Sequence, residues 1–537
     1  MKNPNTRGSE KNSNSETEKT RVAKAAGTVG LATLLSRVFG FIRDMVVAGF
    51  FGAGLATDAF FVAFRIPNLL RRLFAEGSLT IAFVPVFTEY LEKRTKKDAV
   101  DLANVAFTLL SIILVVVSLS GVIFSPFIVK IIAPGFSKMP DKYHLTVFLT
   151  RLMFPYIFFI SLVALCMGIL NSLRHFAAPA LAPVALNISM IIAALGLRNY
   201  FNEPIIALAV GVMAGGIIQL VMQFPFLVRV GVKLKPDFHF NNPGVKRIGL
   251  LMLPAVFGAA VYQINIFVST LLASLLPGGS VSYLYYADRI VQLPLGIFAI
   301  AIGTAALPSF SEQAARGDYE DLKKTLSFSL SLILFVTIPA MVALIVLRVP
   351  IISVLFQRGE FDALSTILTA QVLLFYAVGL WAFSIIRVIV SVFYSLQDTK
   401  TPVKVAVIAL TVNIIMGIIL MFPLKHGGLA LATSIASAVN AVMLFILLRK
   451  QIGPFLEKEF YASFLKVTVA SLIMGVVILV ITCAFGFSTD QPFTDRLMIL
   501  TVAIFAGLAV FVAASFAMKN KEMVETVRIV GRKLKRR

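Results

Sequence analysis

Between residues 25 and 517 the chain is divided into fourteen apolar stretches, and this recurrence constrains the fold more than any motif. Their limits are 25–50, 57–91, 101–133, 144–172, 179–198, 204–228, 246–276, 281–311, 323–347, 365–396, 402–422, 427–448, 460–485 and 495–517. Crossing ~30 Å of hydrocarbon takes about 20 apolar residues in a helix. The expected fold is therefore an all-α polytopic membrane protein with fourteen transmembrane helices. A composition of 58% hydrophobic and only 14% charged residues agrees, being far too apolar for a soluble chain of 537 residues. The second stretch is too long for one straight span, and Pro67 and Gly77 offer places to bend it.

A formal net charge of +22 would suit a nucleic-acid partner, but the cations lie in short loops and at the two ends. On one side fall Lys93, Arg94, Lys96, Lys97, Arg174, Arg229, Lys233, Lys235, Lys246, Arg247, Arg316, Lys323, Lys324, Lys400, Lys404, Arg449, Lys450 and Lys458. The other side holds fewer: Lys138, Lys142, Arg198, Arg348, Arg358, Lys425 and Arg496. This asymmetry is the positive-inside pattern, so the richer side and both termini are expected in the cytoplasm, and no nucleic acid is expected. Residues 1–24 are polar and read as a disordered tail without a signal peptide, and the basic tail 518–537 suits the anionic inner leaflet. Cys166 and Cys483 fall in apolar stretches, and His144, His175, His239 and His426 have no ligand spacing, so neither a disulfide framework nor a metal site is expected.

The sequence also repeats itself. Leu307-Pro308-Ser309-Phe310-Ser311-Glu312 answers Val84-Pro85-Val86-Phe87-Thr88-Glu89 at a shift of about 223 residues. Ser395-Leu396 with Pro402 answers Ser172-Leu173 with Pro179, and Arg289-Ile290 answers Arg65-Ile66 one residue further on. Spans 1–6 and 7–12 thus read as parallel copies of one unit, two pseudo-symmetric lobes around a central cavity as in many transporters. The domains expected are an N-lobe over 25–229, a linker over 230–245, a C-lobe over 246–450, and two added helices over 451–517.

Charge at membrane depth points to the site. Arg37, Arg43, Asp44, Asp58, Arg65, Arg71, Arg72 and Glu76 crowd the stretch from Ser36 to Gly77. An intramembrane charge costs roughly 2.5–3.5 kcal/mol on insertion scales, so such a group is expected to face a cavity or another charge. Helical spacing lets Asp44 neutralise Arg37 and Asp58 neutralise Arg65, each seven residues apart, yet arginines remain in excess. Arg71 and Arg72 could instead snorkel from a helix end, with Glu76 pairing Arg72, and Asp288 with Arg289 could be a local pair. The favoured reading is an arginine-lined cavity. Arginine suits phosphate because its planar fork donates paired charge-assisted hydrogen bonds and keeps its proton. Ser36, Asn68 and Ser282 could add neutral donors. In the second copy Arg289 persists, but Gln263 and Asn265 replace Arg37 and Arg43, so the charge is unequal.

The string from Ser36 to Phe87, with YYADRIVQLPLG, GTAALPSF and FYSLQDTKTPVK, closely resembles the MurJ (MviN) lipid II flippase family of the MOP exporter superfamily. The resemblance runs from about residue 25 to 517 and is loose after 450. It implies transport of the undecaprenyl-pyrophosphate-linked peptidoglycan precursor between leaflets of the bacterial cytoplasmic membrane by a monomer. It places the family's required arginines on Arg37, Arg43, Arg71 and Arg289. It puts Asp44, Asp58, Asn68, Ser36 and Ser282 at cavity positions, with Arg65 where relatives carry Lys. Gln292 stands where some carry Glu. Ideal helix geometry favours Arg72 over Arg71 and the motif favours Arg71; the motif is followed because Pro67 shifts the helix phase. Some members bind sodium beside spans 7, 11 and 12, but no residues here match closely enough to name ligands, so coupling to sodium, protons or membrane potential stays open. The resemblance also assigns spans 13 and 14 to a groove for the lipid tail.

A multidrug exporter of the same superfamily would line its cavity with carboxylates and aromatics, not arginine. A flippase for another polyprenyl-pyrophosphate glycan remains compatible with the arginines. A membrane glycosyltransferase needs a large catalytic loop, and the loops here are short, so the chain reads as a transporter and not an enzyme.

Overall fold

The structure, a computed structural model, describes residues 6–72, 79–456 and 458–523, and all regular elements among them are helical. The first apolar stretch occupies the second half of α1 (Thr6–Phe51), and the second is divided between α2 (Leu55–Leu70) and α3 (Thr80–Lys93). Then come α4 (Lys96–Ile123), α5 (Ser125–Ile132), α6 (Pro140–Met153), α7 (Tyr156–Ser172), α8 (Ala177–Gly196), α9 (Ile206–Arg229) and α10 (Pro243–Ser274). The eighth stretch is α11 (Ser280–Pro294) and α12 (Ile300–Arg316), joined by a π-helical turn at Leu295–Ala299. After α13 (Tyr319–Val346) and α14 (Arg348–Phe356), α15 (Ala363–Val378) and α16 (Leu380–Ser395) form one span bent by 42°. The chain closes with α17 (Lys400–Ile452), α18 (Lys458–Ala484) and α19 (Phe493–Ala517).

By length and apolarity, nine helices among the described residues can cross a membrane, ten with the bent pair. The 53-residue α17 carries two of the apolar stretches, because its backbone breaks at Lys425 (φ 49°, ψ −129°). Tight folding at this break requires glycine at 428, where a Cβ would sit 2.1 Å from the Leu420 carbonyl oxygen.

Two units emerge from Cα proximity: Met1–Phe51 with Ala59–Gln263, and Gly52–Asp58 with Ile264–Arg537. In the first, α8 packs on α1 and α9, and α7 on α3, α4 and α9. The α8–α9 contact is close because Gly211 and Gly215 lie four residues apart on α9, each facing α8; Ser189 Oγ donates to the Gly211 carbonyl at 2.8 Å. With lipid as apolar as leucine, such small-residue contacts hold membrane helices together where the hydrophobic effect does not. In the second unit α13 packs on α12, α16 and α18, α16 on α12 and α17, and α18 on α19. Its core runs through Leu326, Ile333, Ile389, Val392 and Leu444, with the Phe335 and Phe511 rings 5.4 Å apart.

The internal repeat is written into the backbones of the two halves. Helices α4 and α13 are each 28 residues long and begin at 96 and 319. Each starts under a side-chain cap, Thr95 accepting from the Asp98 amide and Asp318 from the Asp321 amide. They end on matching residues, Phe124 (φ −87°, ψ 8°) and Leu347 (φ −87°, ψ 11°). After α7 and α16 the chain turns through left-handed Arg174 and Gln397, both at φ 60°. There His175 N donates to Leu170 O and Asp398 N to Phe393 O, the same helix-ending geometry in both copies.

Candidate functional site

Within the first unit, the charge on α1 is organised by α8. Arg43 donates to Asp44 Oδ1 through Nη2 at 2.6 Å and Nε at 3.1 Å, and through Nη1 to Asn187 Oδ1 at 3.0 Å. Asn187 also donates to the Ser36 carbonyl at 3.1 Å. Arg43 is 7% exposed and Asp44 2%. The structure thus differs from the expected Arg37 to Asp44 pair: seven residues are two helical turns, roughly 10 Å, whereas Arg43 reaches its neighbour directly and α8 fixes its other edge. Arg37 is exposed and makes no hydrogen bond, ion pair or ring contact with any described residue.

Farther along the second stretch, Arg65 and Asn68 are half-buried on α2. Arg71 and Arg72 follow Pro67 in a π-helical turn, which rotates the side chains beyond it relative to an α-helix. Arg71 is half-buried and Arg72 exposed. The expected partner of Arg72, Glu76, and the bend at Gly77 lie outside the described residues.

In the second unit Asp58 is a buried cap for α11. Its Oδ2 accepts from the Gly279 amide at 2.8 Å, and its Oδ1 from the Ser282 amide at 2.9 Å and Ser282 Oγ at 2.6 Å. Asp58 is 1% exposed and Ser282 fully buried, so the Ser282 hydroxyl proton is engaged. Gly279 sits at φ 88°, where an added Cβ would press on the Ala53 carbonyl at 2.9 Å. A carboxylate at the positive end of a helix is satisfied both by the orphan amides and by the dipole.

Two turns along the same helix, Arg289 is half-buried with its guanidinium 5.4 Å from the Tyr285 ring centroid, and Asp288 accepts a hydrogen bond from Gln292. Gln292 thus serves the neighbouring carboxylate as a neutral donor. The polar groups where spans 7, 11 and 12 meet are Asn265, Asn413 and Thr433. Asn413 Nδ2 donates to Asn265 Oδ1 at 2.6 Å and Thr433 Oγ1 to Asn413 Oδ1 at 3.4 Å. None of these groups carries charge, and the Thr433 hydroxyl lies closer to the Leu429 carbonyl, at 3.0 Å. No cluster of three metal-ligating His, Cys, Asp or Glu residues occurs among the described residues.

Arg387 is among the charges within apolar stretches that escaped the sequence reading. It lies halfway along α16 and is exposed; its carbonyl accepts from Ser391 Oγ at 3.0 Å, while its guanidinium makes no hydrogen bond or ion pair with any described residue. The polar cleft of about 270 Å³ lined by Glu89, Tyr90, Lys93, Arg94 and Arg247 includes none of the candidate arginines.

With the arginine positions in view, comparison with known proteins settles the family. The model of the family described as "Lipid II flippase MurJ" matches residues 47–493. The chain belongs to the MurJ lipid II flippase family. A probable MurJ of Buchnera aphidicola is 39% identical over 84% of this chain and 89% of the relative. A MurJ named as a lipid II flippase in Burkholderia cenocepacia is 38% identical over 80% of this chain and 84% of its own length. Among solved structures, "Lipid II flippase MurJ, inward closed conformation" superposes with a TM-score of 0.75 at 29% identity, covering 91% of this chain and 99% of that one. An inward-facing multidrug transporter of the MATE family matches at 0.64 with 16% identity, covering 80% and 98%, a likeness of fold alone. The chain is thus a multi-pass membrane transporter of a family of flippases and not enzymes, and it shares its fold with a MATE transporter of the MOP superfamily.

Proposed function

We propose that the chain moves lipid II from the inner to the outer leaflet of a bacterial cytoplasmic membrane for cell-wall synthesis, as a monomer with both termini in the cytoplasm. Supporting this reading above all is the uncompensated charge of Arg37: its neighbour Arg43 is neutralised by Asp44, while Arg37 lies in the same apolar helix with no counter-charge among the described residues. A pyrophosphate linking glycan to polyprenol is the anion such a group suits.

Arg37, Arg43 and Arg71 hold the pyrophosphate from the first copy of the repeat, and Arg289 from the second. The guanidinium forks donate paired hydrogen bonds and offset the phosphate charge as the headgroup leaves water. Asp44, Asn68 and Ser36 orient the first group of arginines, Arg65 adds charge beside them, and Asp58 with Ser282 fixes the helix that carries Arg289. The polyprenyl tail stays in lipid against the added helices α18 and α19, so only the headgroup crosses, by alternating access.

Complementation in a strain depleted of its own lipid II flippase tests this. Wild type restores growth and surface-exposed lipid II; Arg37→Ala and Arg289→Ala insert at wild-type levels and restore neither. Normal flipping by both variants would refute the assignment of the arginines, and failure of the wild type would refute the substrate.

A further inference from the structure

Two arginines of the second unit, Arg358 and Arg496, lie outside the candidate transport residues and have no acid partner among the described residues. Arg496, in the second turn of α19, is 8% exposed; its Nη1 donates to Ser353 Oγ at 2.7 Å, and its buried Nε has no partner. Ser353, in the last turn of α14, donates to Gln357 Oε1 at 2.6 Å, and Gln357 Nε2 to the Thr489 carbonyl at 2.9 Å. This relay fixes Arg496 using neutral groups alone. Arg358, just past α14, is exposed as a residue but has its guanidinium partly covered; its Nη2 donates to the Val354 and Leu355 carbonyls at 3.0 and 2.9 Å, with the Phe493 ring 5.8 Å from its guanidinium. Burial and the neighbouring positive charge of Arg496 push the Arg358 pKa down from its ordinary value. Neither arginine makes an ion pair with any described residue.

The bland account is that both cap the carbonyl end of α14. It explains the bonds of Arg358 fully. It leaves Arg496 bonded to a hydroxyl, with Nε orphaned, near the positive end of α19, where a cation is disfavoured. The carbonyl end of one helix offers about half a negative charge, against two full positive ones. Beside them Phe493, Leu497 and Met498 are 46%, 42% and 52% exposed, an apolar rim on the same helix end. We propose that Arg496 and Arg358 form a phosphate-binding site at the membrane boundary, whose ligand is the headgroup of an anionic membrane phospholipid. The apolar rim favours a lipid over a free ion, because it gives acyl chains a surface beside the charge. This inference rests on the chain being a membrane protein and is independent of what it transports.

The test uses the full-length protein purified in neutral detergent, with bound lipid counted by native mass spectrometry and thermal stability followed in parallel. Phosphatidylglycerol is expected to remain bound and raise the melting temperature, whereas phosphatidylcholine, neutral overall, should do neither. Arg496→Gln should weaken phosphatidylglycerol retention about ten-fold, the loss of one or two charge-assisted hydrogen bonds. Because Arg496 is buried and its replacement risks stability, Arg358→Gln at the exposed position should show the same loss with unchanged melting in the absence of lipid. Inorganic phosphate protecting as well as phosphatidylglycerol at equal concentration would overturn the lipid assignment. Equal retention by wild type and both variants would overturn the site.

Discussion

Ser282 Oγ donates to Asp58 Oδ1 at 2.6 Å, joining residues 224 positions apart in sequence and completing the cap of α11. With the Gly279 and Ser282 amides also directed at it, this carboxylate takes three hydrogen bonds while almost wholly buried. Asp58→Ala strips the cap and leaves buried amides without acceptors, each costing about 1–3 kcal/mol. The variant should melt well below wild type in detergent, and Ser282→Ala, which loses only the hydroxyl bond, clearly less. Equal melting of Asp58→Ala and wild type would show that the cap carries no stability.

The Arg43 and Asp44 pair makes a separable prediction. Removing one member of a buried ion pair costs about 3–5 kcal/mol because the other charge is stranded, while removing both can be nearly neutral. Arg43→Ala should therefore be poorly folded, and Arg43→Ala with Asp44→Ala should recover much of the melting temperature but not transport. If the double variant is no more stable than the single, Asp44 does not depend on Arg43.

Helix placement was legible in the sequence because a twenty-residue apolar stretch has almost no other use, and the repeat because Pro85 and Pro308, like Ser172 and Ser395, recur at one spacing. Side-chain partners were less so. That Asp44 faces Arg43 and not Arg37 depends on Asn187 arriving from α8, 144 residues away, which no spacing along α1 reveals. The pairing of Arg496 with Ser353 is similarly non-local, and both arginines looked like ordinary loop cations. Arg387 was overlooked for a different reason: a lone charge in an apolar run forms no pattern.

Asp398, in the loop before α17, sets a pH dependence. Its carboxyl is held below the ordinary value of 3.8, first by the Thr401 hydroxyl at 2.6 Å and then by the Thr401 amide. A depressed folded-state pKa stabilises the fold at pH above the unfolded value, and that contribution disappears as pH falls through the folded one. Melting temperature should therefore drop more steeply below about pH 4 in wild type than in Asp398→Asn. At pH 7 the variant should already be destabilised, by about 1 kcal/mol as for other lost helix caps. Parallel curves for the two proteins would rule the linkage out.

At the break in α17, Gly428→Ala places a methyl 2.1 Å from the Leu420 carbonyl oxygen, a backbone atom that cannot swing aside. The two halves of α17 must separate to admit it. Loss of folded protein on membrane extraction is the expected result, whereas the conservative Val442→Ala on the exposed flank of the same helix should be silent. A stable, active Gly428→Ala would mean that the break is not this tight.

Arg387 discriminates between a cavity charge and a tolerated one. It sits halfway along α16, on the helix against which Gly303 of α12 packs, with the Arg387 carbonyl 3.5 Å from where a Gly303 Cβ would lie. An exposed arginine at that depth with no described partner is stable only if water or an anion reaches it, since bare hydrocarbon would penalise it by about 2.5–3.5 kcal/mol. If it serves the passage of an anionic headgroup, Arg387→Leu should insert normally, melt at or above the wild-type temperature, and fall at least several-fold in lipid II exposure. Arg387→Lys should then retain most of that activity. A fully active Arg387→Leu would assign the residue to the lipid-facing surface, and with it the conclusion that α16 contributes packing but no charge to transport.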